Sequence, residues 1–179
     1  ERLIYLPYME ESKRVQNIIA NAMDTSLDLR PPNIKSIIDA NPGVSTWTGK
    51  ELPLGYLDWW PVCLGFNNLE PPFDDPEVRR AVNHAIDREQ LVKIGWQGAG
   101  TSSYLPLPNF PPIRNYTDGI QDLIDKYEIG VYDPAKTAEI LQRKGWSKDG
   151  EGFWSKGGER LTMVVDIFGI FNDLAPVLV

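Results

Sequence analysis

The sequence predicts a mixed α/β (α+β) fold, with helices packed on a mixed sheet. Three observations carry this. Asp75-Pro76 and Asp133-Pro134 each pair a capping carboxylate with a proline at the first helical position, and each opens a run with apolar residues at helical spacing. Between the helical runs lie short apolar segments, such as 62–67 and 161–167, that read as strands. The chain has 179 residues, 42% of them hydrophobic and 24% charged, which is ordinary for a globular protein large enough to bury a core without metal or disulfide.

Residues 2–7 alternate loosely and predict a first strand. Ser12 opens a helix whose apolar face is Val15, Ile18, Ile19 and Ala22. Residues 26–29 read as a short strand. Pro31-Pro32 interrupts the chain before a short amphipathic helix marked by Ile34, Ile37 and Ile38. Asn41-Pro42-Gly43 is a turn signal, 44–48 is strand-like, and 49–61 is a loop with many aromatic residues. Residues 62–67 read as a buried strand, with Cys63 as a small buried hydrophobe.

The clearest helix starts at Asp75-Pro76 and presents Val78, Ala81, Val82, Ala85 and Ile86 on one face. His84 falls opposite that face and is expected at the surface or an edge. Asp87, with Gln90 three residues on, restarts a helix that uses Leu91 and Val92. Residues 95–112 form a loop rich in Gly, Ser and Pro. Ile120, Leu123, Ile124 and Tyr127 mark another helix, and 135–144 a further one that Gly145 ends. Residues 148–150 are a turn. Phe153-Trp154 and 160–167 form a hairpin across Lys156-Gly157-Gly158, with Leu161, Met163, Val165 and Ile167 on one side. No internal repeat is visible.

Composition excludes several functions. Lys plus Arg is 18 and Asp plus Glu is 25, a formal charge of −7 that disfavours nucleic acid or an anionic membrane surface as partner. No apolar run approaches the ~18 residues of a membrane-spanning helix. One cysteine, Cys63, forbids an internal disulfide, and with a single histidine, His84, a His/Cys zinc site is excluded. No metal and no cofactor is expected. The chain starts at Glu1 without methionine and ends in helix-like sequence without a stop signal, so it reads as part of a longer protein.

The run 64–92 contains Phe66-Asn67, Pro71-Pro72-Phe73, Asp75-x-x-Val78-Arg79-x-Ala81 and Ala85-Ile86-Asp87-Arg88, in that order. It resembles the extracytoplasmic solute-binding proteins of peptide-type ABC importers, the oligopeptide, dipeptide and nickel-binding family. Tyr132-Asp133-Pro134, Leu141 and Gly145-Trp146 resemble a later helix of the same family, followed by Asp149-Gly150 and the 161–167 strand. Tyr5-x-Pro7-Tyr8 and the stretch 20–24 (Ala-Asn-Ala-Met-Asp) fit more loosely. The resemblance implies a two-lobed, type II binding-protein fold, of which 1–179 would be a single domain, the larger part of the C-terminal lobe. It also implies a periplasmic or extracytoplasmic location, with lipid anchoring of the parent open, and ABC permease subunits as partners. The acidic residue that holds a peptide amino terminus in peptide binders belongs to a later segment and has no counterpart here.

Within the motif, Asp75 and Pro76 read as helix-starting residues, and Arg79 and Arg88 as ion-pair or carbonyl-capping residues. Trp96, Trp146 and Trp154 are assigned to packing. Trp59 and Trp60 are adjacent, share a loop with Tyr56 and Asp58, and precede the strand ending at Asn67, so they are the first candidates for ligand contact. Trp47, Tyr56 and Tyr104 complete the candidate set, because flat aromatic faces stack on sugars, peptide side chains or cations. The leading expectation is a non-enzymatic importer subunit that encloses an oligopeptide between two lobes by hinge closure. An oligosaccharide ligand in the same role, a carboxylate-dependent glycoside hydrolase and a free-standing carbohydrate-binding module are the alternatives.

Overall fold

The structure is a computed structural model that describes residues 2–55, 61–107 and 111–178. Helices dominate: α1 (Glu11–Ile19), α2 (Pro31–Ala40), α3 (Pro76–Ala85), the short α4 (Arg88–Gln90), α5 (Pro111–Asp118), α6 (Gln121–Tyr127), α7 (Pro134–Arg143) and the final turn α8 (Ala175–Leu178). The sheet is small and antiparallel, in the order β1 (Ser147–Lys148), β2 (Trp154–Lys156), β3 (Glu159–Arg160). The mixture of helices and sheet is as expected.

Helix α3 starts where the cap signal places it. The Asp75 carboxylate accepts from the Glu77 N–H at 2.9 Å, and Asp133 accepts from the Lys136 N–H at 3.0 Å to start α7. The two helices pack on each other and form the core, Val78 and Ala81 meeting Ile140 and Leu141. Phe73, Trp146, Trp154 and Leu161 close over this cluster, so Trp146 and Trp154 are packing residues. Arg79 donates to the Phe73 and Asp74 carbonyls at 2.6 and 3.1 Å, and Arg88 to the Asn83 side chain at 2.6 Å. Arg79 thus satisfies carbonyls just ahead of α3, and Arg88, which also donates to the Asn83 and Ile86 carbonyls, those at its C-terminal end. A hydrogen bond from Lys144, aided by the Glu77 N–H, holds the Asp75 carboxyl below the usual carboxylate range.

His84 corrects the sequence expectation. It is 2% exposed, while Ala85, assigned to the buried face, is exposed. The helix is rotated so that Val78, Ala81 and His84, three residues apart, point inward. His84 Nδ1 lies 2.8 Å from the Val131 carbonyl, and the Asp133 N–H donates to the His84 carbonyl at 2.8 Å. A polar ring is tolerated in the core because the segment leading into α7 supplies its partner.

Several expected strands carry no ladder. Residues 2–7 and 62–67 have strand-like sequence but no strand partner among the described residues, and Cys63 is exposed rather than buried. Residues 44–48 make only one bridge, Thr46 to Gly49. Residues 26–28 instead wrap Arg14, whose buried guanidinium donates to the Leu27 carbonyl at 2.5 Å. Helix α1 ends at Ile19, before Ala22, and Asn41 Nδ2 donates to the Ile19 carbonyl at 3.2 Å, closing α1 against α2.

The hairpin turn is where the sequence puts it. Ser155 pairs with Arg160 and Lys156 with Glu159 across Gly157-Gly158, whose φ values of 63° and 87° are those of a two-residue turn that glycine permits. The ladder stops after the Leu161 N–H bonds the Trp154 carbonyl at 2.7 Å. Beyond it, Leu161, Val165 and Ile167 are half-buried and Val164 and Phe168 point out, but Met163, expected on the inner side, is 40% exposed, so the alternation is broken where no pairing strand enforces it. Helix α5, within and after the expected loop, was not legible from its Pro-Pro start.

Candidate ligand-binding loops

Trp47 sits on a tight turn built from its neighbours. Thr46 and Gly49 exchange backbone hydrogen bonds at 2.9 and 3.0 Å, and Thr48 Oγ1 donates to the Glu51 carbonyl at 2.7 Å. The ring is 82% exposed. Tyr56, Trp59 and Trp60 lie outside the described residues.

Tyr104 is carried by the 97–107 loop, which is pinned along its length. The Gly98 N–H donates to the Val92 carbonyl at 3.0 Å and the Ala99 N–H to the Trp96 carbonyl at 2.8 Å. Ser102 hydrogen-bonds the Glu89 carboxylate. Tyr104 itself presses on Gly130, where a Cβ would stand 2.4 Å from the tyrosine Cβ. The ring stays half-exposed, so its inner edge packs while the remainder faces solvent.

The two loops meet. Leu52, from the Trp47 loop, lies against Gly98, with its Cδ1 3.2 Å from where a Cβ would be. Fold and packing thus bring the Trp47 and Tyr104 loops to one side of the chain at a contact the sequence did not indicate. Leu52 carries no pattern that marks it, and Gly98 stands in a run of glycines of which only the structure shows the close approach. Two concave surfaces among the described residues lie away from these loops. One of about 90 Å³ is lined by Ala85, Ile86, Gln90, Leu91, Tyr132 and Leu178 among others, and an open depression of about 410 Å³ by Asp87, Glu89, Gln90, Lys93 and Ile94. Neither includes Trp47 or Tyr104. Among the described residues no group of three His, Cys, Asp or Glu is placed to hold a metal, and no helix is long and apolar enough to cross a membrane.

The chain can be compared with known proteins on this basis. Residues 1–166 match the model of the bacterial extracellular solute-binding proteins, family 5, middle region. The chain belongs to this family. It is 31% identical over 157 residues to heme-binding protein A of Haemophilus influenzae, covering 86% of this chain and 25% of that protein. It is 29% identical over 147 residues to di/tripeptide-binding protein 3 of Pseudomonas aeruginosa, covering 81% and 24%. A glutathione-binding protein of Pectobacterium atrosepticum matches at 36% over 83 residues, 46% of this chain and 14% of that protein. Among solved structures, a periplasmic oligopeptide-binding protein of an ABC transporter from Thermotoga maritima, with mannohexaose bound, superposes with a TM-score of 0.68 at 21% identity, covering 96% of this chain and 31% of that one. That likeness shows the fold. The chain spans about a quarter of the length of the first two curated relatives. The curated relatives are named for the small molecules they bind: heme, di- and tripeptides, and glutathione.

Proposed function

We propose that the full-length protein is the periplasmic or extracytoplasmic capture subunit of an ABC importer for short peptides. The observation that carries this is the family match over residues 1–166, together with relatives named for di/tripeptide and glutathione binding. In this reading 1–179 belongs to one lobe, and ligand is enclosed against the other by hinge closure, which shifts the population toward the closed form. The aromatic loops face the ligand. Trp59 and Trp60, supported by Trp47, Tyr56 and Tyr104, supply flat apolar surface for side chains, while backbone and polar groups elsewhere orient the peptide. The protein performs no chemistry, and its second partner is the permease in the membrane.

The test is native mass spectrometry of the full-length protein, followed by release and identification of the small molecules that co-purify. A peptide mixture, or mass shifts on adding dialanine or glutathione, is the expected result. A bound hexose or pentose oligomer, or heme, overturns the peptide assignment and keeps the capture role.

A further inference from the structure

Trp96 occupies an unusual position. Helix α4 runs on into a π-helical turn, Leu91–Gly95, and Trp96 follows it directly. Such turns hold one residue more than an α-helix and recur at functional sites. Here the turn is where two otherwise separate segments converge. On one side lies the C-terminal segment: the Trp96 and Phe171 rings stack with centroids 6.5 Å apart at 23°. Gly95 admits this approach, because a Cβ there would stand 2.7 Å from Leu174 Cδ2 and 3.2 Å from the Asp173 carbonyl. Arg30, which also pairs with Glu11 of α1, holds Asp173 at 2.7 Å, so the segment is tethered at a second point. On the other side lies the Tyr104 loop. The position of a Gly100 Cβ is 3.2 Å from Trp96 Cε3, and the Ala99 N–H bonds the Trp96 carbonyl.

We propose that Trp96 is a positioning residue that couples the seating of residues 169–174 to the placement of the 97–104 loop. The half-buried ring touches both Phe171 and the Gly100 backbone, so a shift of either segment bears on it. Contiguous side-chain contacts are the route by which displacement passes from one segment to another. Its consequence for ligand binding rests on the reading that the Tyr104 loop faces the ligand; the coupling itself does not.

Hydrogen exchange on the full-length protein without ligand tests the coupling. Gly100→Ala pushes on the Trp96 ring without touching the C-terminal segment. The amides of Phe171 and Leu174, which bond the Phe168 and Phe171 carbonyls, are expected to exchange about fivefold faster, the scale of one aromatic contact. Phe171→Leu is expected to do the same to the amides of Gly98 and Ala99, because coupling between two sites is reciprocal. In a Trp96→Leu background the effect of Gly100→Ala on 171–174 should vanish, and α3 and α7 should be unaffected throughout. Effects of Gly100→Ala confined to 98–104, or of Phe171→Leu confined to 169–178, overturn the proposal. Titration of the same proteins with dialanine and glutathione separates the two readings. If the exchange coupling holds and affinity falls in Gly100→Ala, both stand. Wild-type protein that binds neither peptide and co-purifies with none refutes the peptide reading while the exchange result still decides the coupling.

Discussion

Replacing His84 by alanine probes the core at the point where the sequence pattern misled. The side chain is 2% exposed and its Nδ1 lies 2.8 Å from the Val131 carbonyl. Two losses follow. The hydrogen bond contributes on the order of 1 kcal/mol net. The cavity left between α3 and the entry to α7 costs about 1–3 kcal/mol more, depending on how far the neighbours relax. The sum is about 2–4 kcal/mol. His84→Leu keeps most of the volume and loses only the polar contact, so it should cost about 1 kcal/mol. The assay is hydrogen exchange in the full-length protein at the Asp133 amide, which donates to the His84 carbonyl, and at the amides of α3. Local opening free energies there should fall in the order wild type, His84→Leu, His84→Ala. If His84→Ala lies within about 0.5 kcal/mol of wild type, the ring is not a working part of the core and the argument fails.

Acid should loosen the α3–α7 pair. The Asp75 carboxyl is lowered by Lys144 and that of Glu77 by Arg143, from ordinary values of 3.8 and 4.5. The native state then binds fewer protons than the unfolded one, so the contribution is present above the ordinary values and is lost as pH falls through the native ones. A urea midpoint that is the same at pH 6 and pH 3 would count against it. Gly130→Ala forces a Cβ into Tyr104 at a φ of 80°, so it should cost about 2–4 kcal/mol locally or lift the Tyr104 loop, seen as faster exchange across 97–104. Unchanged exchange in that loop would show that the tyrosine does not rest on Gly130. If the proposed peptide-capture reading holds, Trp47→Ala, which removes an 82% exposed ring, should lower affinity for dialanine or glutathione by about 1–2 kcal/mol while leaving α3 and α7 protected from exchange. Calorimetry showing equal affinity would remove Trp47 from the ligand surface.

The ion pairs themselves are a minor part of what holds the fold. Arg160 bridges Asp149 and Glu151 at 2.6 Å each and lies 4.4 Å over the Phe153 ring, but all these groups are at the surface. Burial alone would raise the Asp149 carboxyl; the N–H groups of Phe153 and Glu151, with Arg160, outweigh it and leave it lowered. Pairs of this exposure order a loop more than they stabilise a domain. The contact between α3 and α7 is different, because Val78, Ala81, Ile140 and Leu141 are dry.

Local signals determined a good deal. Asp75-Pro76 and Asp133-Pro134 start the helices they predict, Gly157-Gly158 turns the hairpin, and Arg79 and Arg88 cap carbonyls as read. Each depends on residues within a few positions of one another, so the sequence suffices. The ordered motifs of 64–92 and 132–146 were enough to identify the family, because that information is carried by residue order. Tertiary structure decided the rest. Whether 62–67 or 161–167 forms a ladder depends on a partner strand, and alternation in one segment says nothing about whether a second lies beside it. His84 faces inward because Val131, 47 positions away in the chain, offers it a carbonyl. Leu52 meets Gly98, and Trp96 meets Phe171, for the same reason: these contacts join segments far apart in sequence, and only the packed chain sets their distance.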